Sequence, residues 1–446
     1  MTNTRRRPSP ALRRRFVAQA GAAVLALAGL LAGAGCSGGA ASDPPAAGAL
    51  SVVPAALSPS ATGSAPPSTP PSASAAAPSG GTVVPLTSEV TARLDTAVQR
   101  VLTETGVPGV IVGLTTPDGS YLKAFGVSDR IAGTPMVTGL NMRIGSETKT
   151  FTVTGLLRLV DQGKAGLDDP VTRYVPGVPG GEGITLRQLA DMRSGLFPYT
   201  SDPEFAQALL SDPTRSFTPE QLLAYAFRHP ANSAPDTRFE YSNTNTVLLG
   251  LVVEKLSGQP LDDFLEAQVF DPAGLDRTRF PTDAAFPQPH AHGYTNQTPD
   301  GAIADATDWN PSWAWAAGAA VSDLADLQKW AKVLATGTLL TPPTQAERLK
   351  ALPTGVPDVG YGLGLMVNHG WVGHNGSLPG YQSLTIHLPS AQASLVVLLN
   401  TDVPFQGSQP STLFGRAVTE IVSPGNVFTL PAVPGSIPSP AAPAMA

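Results

Sequence analysis

The chain has a single cysteine, Cys36, in 446 residues, so no disulfide can form within it. Charge is scarce as well, at 14% Asp, Glu, Lys and Arg, and what there is lies unevenly. Six arginines, Arg5–Arg7 and Arg13–Arg15, crowd the first 15 positions. Without them the chain has 22 basic against 34 acidic residues, a formal charge of −12. A body of that sign is a poor partner for nucleic acid. The apolar stretch Ala20–Ala34 is shorter than the ~20 residues that a membrane-spanning helix needs. No G-x-S-x-G occurs within residues 86–428, so the nucleophile elbow of the α/β-hydrolases is not supported there. There is no internal repeat. His290 and His292 suggest a metal pair, but they follow Pro287 and Pro289 in what reads as a loop and no acidic cluster matches them, so neither metal nor cofactor is expected.

What the N-terminus does have is an address. "LRRRFVAQAGAAVLALAGLLAGAGC" runs from arginines through a weakly apolar segment to small residues, the grammar of a secretory signal. Arg13-Arg14-Arg15-Phe16-Val17 also resembles a twin-arginine export signal. The "LAGAG" before Cys36 resembles a bacterial lipobox, with Gly33 where Leu is commonest. That resemblance implies a lipid on Cys36 and a protein tethered to the outer face of the cell membrane. Plain cleavage after Ala32-Gly33-Ala34, giving a secreted protein, is the alternative. From residue 37 to 85 the chain is Ala, Pro, Ser and Gly and cannot build a core, so it reads as a linker. Residues 429–446 have the same character. One folded domain is expected over 86–428.

Within that domain a helix is expected near Thr87–Glu104, followed by a β-hairpin across the Pro-Asp-Gly turn at 117–119. The middle is mostly helical. In "SETKTFTVTGLLRLVDQGK" the residues Val153, Leu156, Leu157 and Val160 share one face. Thr218, Pro219 and Gln221 form a capping-box start, and further helices are expected near 185–193, 243–256, 260–270 and 322–336. The C-terminal part returns to strands in "YGLGLMVN", "LPGYQSLTIHL" and "ASLVVLLN", then ends on a helix near 411–422. The expected class is α+β: an antiparallel sheet sewn from both ends of the chain, flanked by helices, with a mostly helical lobe against it and a cleft between.

Two Ser-x-x-Lys pairs compete as chemistry. Ser120 and Lys123 lie on the hairpin, where residues three apart point to opposite faces. Ser146 and Lys149 open a helix, where they are neighbours and where free N–H groups favour an oxyanion. Ser146 as a plain helix cap is the competing role. A serine hydroxyl needs a proton acceptor, and a lysine can serve only if burial or a nearby cation lowers its pKa. Tyr241, in Tyr241-Ser242-Asn243 before a helix, can shuttle protons, and Asn243 can hold a substrate amide. Tyr294-Thr295-Asn296 imitates that motif in what reads as a loop with nothing to fix it. Lys164-Ala165-Gly166 imitates a K-x-G element but precedes the Tyr motif. His374-Asn375-Gly376 on a strand edge can pair with an extended substrate backbone. The backbone N–H groups of Ser146 and Ser377 can then form an oxyanion hole. Trp309, Trp313 and Trp315 are expected to pack rather than wall the cleft.

The order S-x-x-K (146–149), Y-x-N (241–243) and H-x-G (374–376) resembles the serine penicillin-recognising enzymes. The class C β-lactamase and D-alanyl-D-alanine carboxypeptidase branch is the most similar. The resemblance covers 86–428 and includes "ITLRQLADMRSGL" and "GAAVSDLADLQKW". It implies Ser146 as acylated nucleophile, Lys149 and Tyr241 as the proton-handling pair, and Asn243, His374, Asn375 and Gly376 as substrate contacts. His374 stands where many members have Lys and Asn375 where they have Thr or Ser. That departure implies weaker pull on a substrate carboxylate and favours peptidase or esterase chemistry over β-lactam hydrolysis. The substrates implied are D-Ala wall peptides, small esters or β-lactams. The alternatives are a β-lactamase and a penicillin-binding sensor that is acylated without turnover.

Overall fold

The computed structural model describes residues 82–432. The export signal, Cys36, most of the linker and the last part of the tail lie outside them. The first helix, α1 (Ser88–Thr105), starts where the Thr87 side chain accepts from Val90 N–H and ends at Gly106 in the left-handed region. Val90, Leu94, Val98, Val101 and Leu102 form its buried face.

One nine-stranded antiparallel sheet organises the domain. Its strands in chain order are β1 (Gly109–Thr116), β2 (Gly119–Asp129), β3 (Thr134–Pro135), β4 (Leu352–Pro353), β5 (Val359–Tyr361), β6 (Met366–Asn368), β7 (Trp371–Leu378), β8 (Tyr381–Leu388) and β9 (Ala393–Leu399). Their order across the sheet is β3-β2-β1-β9-β8-β7-β6-β5-β4. The N-terminal hairpin joins the C-terminal strands through β1 and β9, with Val112 opposite Val397. The sheet is therefore sewn from the two ends of the chain, as the strand pattern predicts.

All seven residues of β9 are buried, because both sheet faces are covered. On one face lie α1 and a C-terminal helix at Pro410–Val422, whose apolar residues share a core with Val110, Val112, Leu395 and Val397. On the other lies a larger core that includes Leu324, Leu327 and Trp330 of a helix at Leu324–Thr336. That core continues into the helical lobe, where the helices Thr148–Asp161 and Asn243–Ser257 pack together. In chain order we label these helices α2 (Thr148–Asp161), α3 (Asn243–Ser257), α4 (Leu324–Thr336) and α5 (Pro410–Val422). No described helix is long and apolar enough to cross a membrane.

Three expectations need correction. "YGLGLMVN" is not one strand but the hairpin β5–β6, with Tyr361 opposite Met366. Its turn places Gly364 at φ +70°, where an added Cβ would lie 2.7 Å from Val153. Apolar residues on both sides of the turn mask it in the sequence. Tyr294-Thr295 is not loose. It is a short strand paired with Ala304–Asp305, and the Tyr294 hydroxyl accepts from Arg130 N–H at 2.8 Å. Packing also runs past the expected limits of 86 and 428. Val83 and Val84 join the core under α1, Val84 N–H donates to Val422 O, and Leu430 packs inward.

Candidate active site

Ser146 sits in a tight 3₁₀ turn, Gly145–Glu147, that leads directly into α2. It is not a cap, since neither the turn nor α2 has a side-chain cap hydrogen bond. The turn is held from several sides. Ser383 Oγ donates to Ile144 O at 2.8 Å, Thr148 Oγ1 donates to Gly145 O at 2.7 Å, and Ala320 N–H donates to Thr148 Oγ1 at 3.0 Å. Gly145 has φ +53°, and a Cβ there would sit 2.7 Å from Ser377 N. A Cβ on Gly376 would sit 1.9 Å from Ile144 O. The two glycines thus let the Ser146 turn lie flat on β7, with the Ser377 N–H beside it. Gly376 is a spacer for this approach and does not itself line the cleft.

Lys149, one turn into α2, is wholly buried, and its Nζ lies 2.9 Å from Ser146 Oγ. A second bond runs from Nζ to Ala317 O at 2.7 Å, and the Tyr241 ring centroid lies 4.8 Å away. Burial lowers the Lys149 pKa well below its ordinary 10.5. The described structure gives this amine no carboxylate partner. The Tyr241 hydroxyl faces Ser146, and burial raises its pKa from 10 against the opposing effect of that contact. Of the two groups, then, burial makes the amine the readier to give up its proton and the phenol the more reluctant.

The decoy Ser-x-x-Lys behaves as strand geometry requires. Lys123 turns to Asp95, 2.6 Å away, and takes no part in the cleft. Lys164-Ala165-Gly166 also lies elsewhere.

Around the Ser–Lys–Tyr cluster is a cleft enclosing about 670 Å³, open solvent included. Asn243, the first residue of α3, lines it with its Oδ1 buried and unpaired. β6 pairs with β7 only at Trp371–Gly373. His374–Leu378 is therefore a free strand edge, and it forms one wall. His374 is buried, and its Nε2 accepts from the Tyr361 hydroxyl at 3.0 Å while its Nδ1–H donates to Asn375 O. Burial first, and the neighbouring Lys149 second, depress the His374 pKa to about 3. His374 is therefore a neutral imidazole locked by Tyr361. Asn375 Nδ2 donates to Gln409 Oε1 at 2.9 Å. The cleft lining carries no Asp, Glu, Lys or Arg.

Ser146, Tyr241, Asn243, His374, Asn375 and Ser377 thus meet in one place, with Lys149 beneath. Sequence reasoning missed Ala317, Gln409, Met366 and Leu430. Ala317 acts through a backbone carbonyl and Leu430 falls in what reads as a tail, so neither has a side-chain signal. Trp313 is both core and cleft wall, whereas Trp315 packs against Gly250 of α3.

Glu147, beside Ser146, does not line the cleft. Its carboxyl is fully buried near Ser383 and Thr385 without a well-formed hydrogen bond, and burial raises its pKa to about 8. Folding therefore holds a proton that the unfolded chain releases above about 4.5. The stability tied to that proton is complete below 4.5 and is lost as pH rises to 8. In Glu147→Gln the loss disappears. The stability of the variant minus that of the wild type should grow with pH across this window, by up to about 1.4 kcal/mol per unit. Urea titrations at pH 5 and pH 7.5 measure it, and a difference that does not grow with pH would refute it.

Residues 94–416 match the family model described as Beta-lactamase. Penicillin-binding protein 4* of Bacillus subtilis is 30% identical over 194 residues, which is 42% of this chain and 41% of that protein. A putative D-alanyl-D-alanine carboxypeptidase of Escherichia coli is 30% identical over 175 residues, 36% of this chain and 40% of that one. The chain therefore spans less than half the length of these two relatives. Among solved structures, a D-stereospecific amidohydrolase from Streptomyces sp. superposes with a TM-score of 0.65 at 33% identity. That match covers 70% of this chain and 94% of that one.

Proposed function

The chain belongs to the β-lactamase family of serine hydrolases, and from that premise we propose that it is an exported acyl-enzyme hydrolase of small D-amino-acid amides or esters. The observation that carries the reading is the 2.9 Å contact between Ser146 Oγ and a fully buried Lys149 amine. In the neutral form that amine keeps one N–H on Ala317 O, and its lone pair takes the Ser146 proton as Oγ attacks the substrate carbonyl. The carbonyl oxygen becomes negative beside the N–H groups of Ser146 and Ser377. Collapse of this intermediate expels the amine or alcohol, which takes a proton through Tyr241. Water then attacks the ester on Ser146, its proton passing to the same pair; the bond from the acyl carbon to Oγ breaks, a proton returns from the pair to Oγ, and the acid leaves.

His374 supports the choice of substrate. A neutral imidazole, in a cleft lined by no cationic side chain, offers little to a free C-terminal carboxylate. Asn243, with its unpaired Oδ1, suits a substrate N–H. The amidohydrolase likeness is in keeping with a D-configured amide. A D-Ala-D-Ala carboxypeptidase is the second reading. It is favoured by the name of one relative and by Asn375 and Ser377 as neutral hydrogen-bonding groups on the cleft wall.

Rates with D-alaninamide, its L-enantiomer and a D-Ala-D-Ala peptide separate these readings. The first should turn over fastest, and preference for the dipeptide would favour the carboxypeptidase. One equivalent of product without further turnover would indicate a sensor instead. The pH profile of kcat/KM should rise through the depressed Lys149 pKa and show no alkaline fall from Tyr241 below its raised one. A bell with an alkaline limb near pH 8 would contradict this assignment. Export and lipid attachment at Cys36 belong to the same proposal, supported by residues 13–36. Metabolic labelling with palmitate, lost in Cys36→Ala, tests them.

A further inference from the structure

The chain does not leave the domain where α5 ends. Residues 423–430 turn back along the β6–β7 hairpin and are fastened to it. Trp371 Nε1 donates to Asn426 O at 2.6 Å, and Asn426 Nδ2 donates to His369 O at 2.7 Å. Asn368, fully buried, donates through Nδ2 to Thr429 O at 2.9 Å and accepts from Thr429 N–H at 3.2 Å. Phe428 anchors the segment in the core under α1. The next side chain but one, Leu430, reaches the active-site cleft and lines it with Met366. It also packs into the apolar cluster of Tyr361 and Met366, against which Tyr241 lies. The segment itself, though not its partners on β6 and β7, falls beyond residue 416, where the match to the family model ends.

We propose that residues 426–430 form a specificity strap, and that Leu430 limits this enzyme to substrates with a compact leaving group. The departing atom must receive its proton through Tyr241. The wall that Leu430 shares with the Tyr241 cluster is therefore the one that the leaving group faces. A strap held by four hydrogen bonds to the β6–β7 hairpin, a fifth from Phe428 N–H to Thr419 Oγ1 and a buried Phe side chain cannot swing aside at small cost. A bulky alcohol or amine meets Leu430, whereas ammonia, a short amine or a short alcohol does not. The proposal rests on the acyl-enzyme reading above and adds the size class of the group released.

The test uses the full chain and two esters of one D-alanine derivative, the methyl and the 2-naphthylmethyl ester. What is read is the ratio of their kcat/KM values, bulky over small. Leu430→Ala should raise that ratio about tenfold, on the scale of selectivity that one or two methylenes confer in an apolar pocket. Leu430→Trp should lower it. Asn368→Ala removes two strap bonds without reaching the cleft, and it should shift the ratio in the same direction as Leu430→Ala. If Asn368→Ala does not fold, the two Leu430 variants decide. Ratios within twofold of the wild type in every folded variant would overturn the strap, provided that a fluorophosphonate still labels them. A wild-type protein that neither labels nor turns over either ester would remove the acyl-enzyme reading itself, and the strap with it.

Discussion

Lys149→Met should lower kcat/KM by about 10²–10⁴-fold, the range associated with a positioned general base, without unfolding the protein. The two side chains have similar length, and a flexible thioether costs less to bury at this fully enclosed position than an amine does. The two effects part because the amine carries the proposed chemistry at a cost to stability. Below 10.5 the unfolded chain holds a proton on Lys149 that the buried amine gives up, down to its depressed folded pKa. Wild-type stability therefore rises with pH across that window. Met titrates nowhere, so any stability advantage of the variant must shrink as pH rises. Urea unfolding of both proteins at pH 7 and pH 9 measures this. An advantage that stays constant would mean that Lys149 is charged in the folded protein and cannot be the base.

Gly376→Ala should be nearly as damaging to activity, although residue 376 does not line the cleft. Its Cβ would fall 1.9 Å from Ile144 O and 2.6 Å from Ser383 Oγ. A hydroxyl can rotate away, but the Ile144 carbonyl belongs to the backbone that carries Ser146. The turn that carries Ser146 would have to lift off β7, taking Ser146 away from the Ser377 N–H. A displacement near 1 Å costs about 100-fold in rate, and the overpacking about 1–3 kcal/mol in stability. Gly139 is the control. An added Cβ there meets nothing within 4 Å, so Gly139→Ala should leave both kcat/KM and Tm near wild type. Equal behaviour of the two variants would refute the spacer role.

Much of this was legible in the sequence because it rests on local periodicity. Ser146 and Lys149 meet because a helix starts at the turn, and three residues along a helix is one turn. β1 and β9 read as strands because their apolar runs are short and β-branched. What stayed hidden was long-range or backbone-borne. Nothing in Gly376 alone says that Ile144, more than 200 residues earlier, will press against it. The Gly364 turn is masked by Leu363 and Leu365, which are apolar and buried like the strand residues beside them. Tyr294 reads as a loop residue because its strand is two residues long and its partner, Ala304–Asp305, lies across a further turn. The strap looks like more of the Pro/Ala tail. Its hold on the domain comes from Asn368 and Trp371, which sit more than 50 residues away in the chain.

The central claim is that Ser146 becomes covalently acylated with Lys149 as its base. Intact-mass analysis within seconds of mixing with an activated D-amino-acid ester tests it most directly. The predicted result is a single acyl addition on the peptide containing Ser146, decaying as acid is released, absent in Ser146→Ala and greatly slowed in Lys149→Met. Turnover without any such adduct, or an adduct that persists in Ser146→Ala, would contradict it.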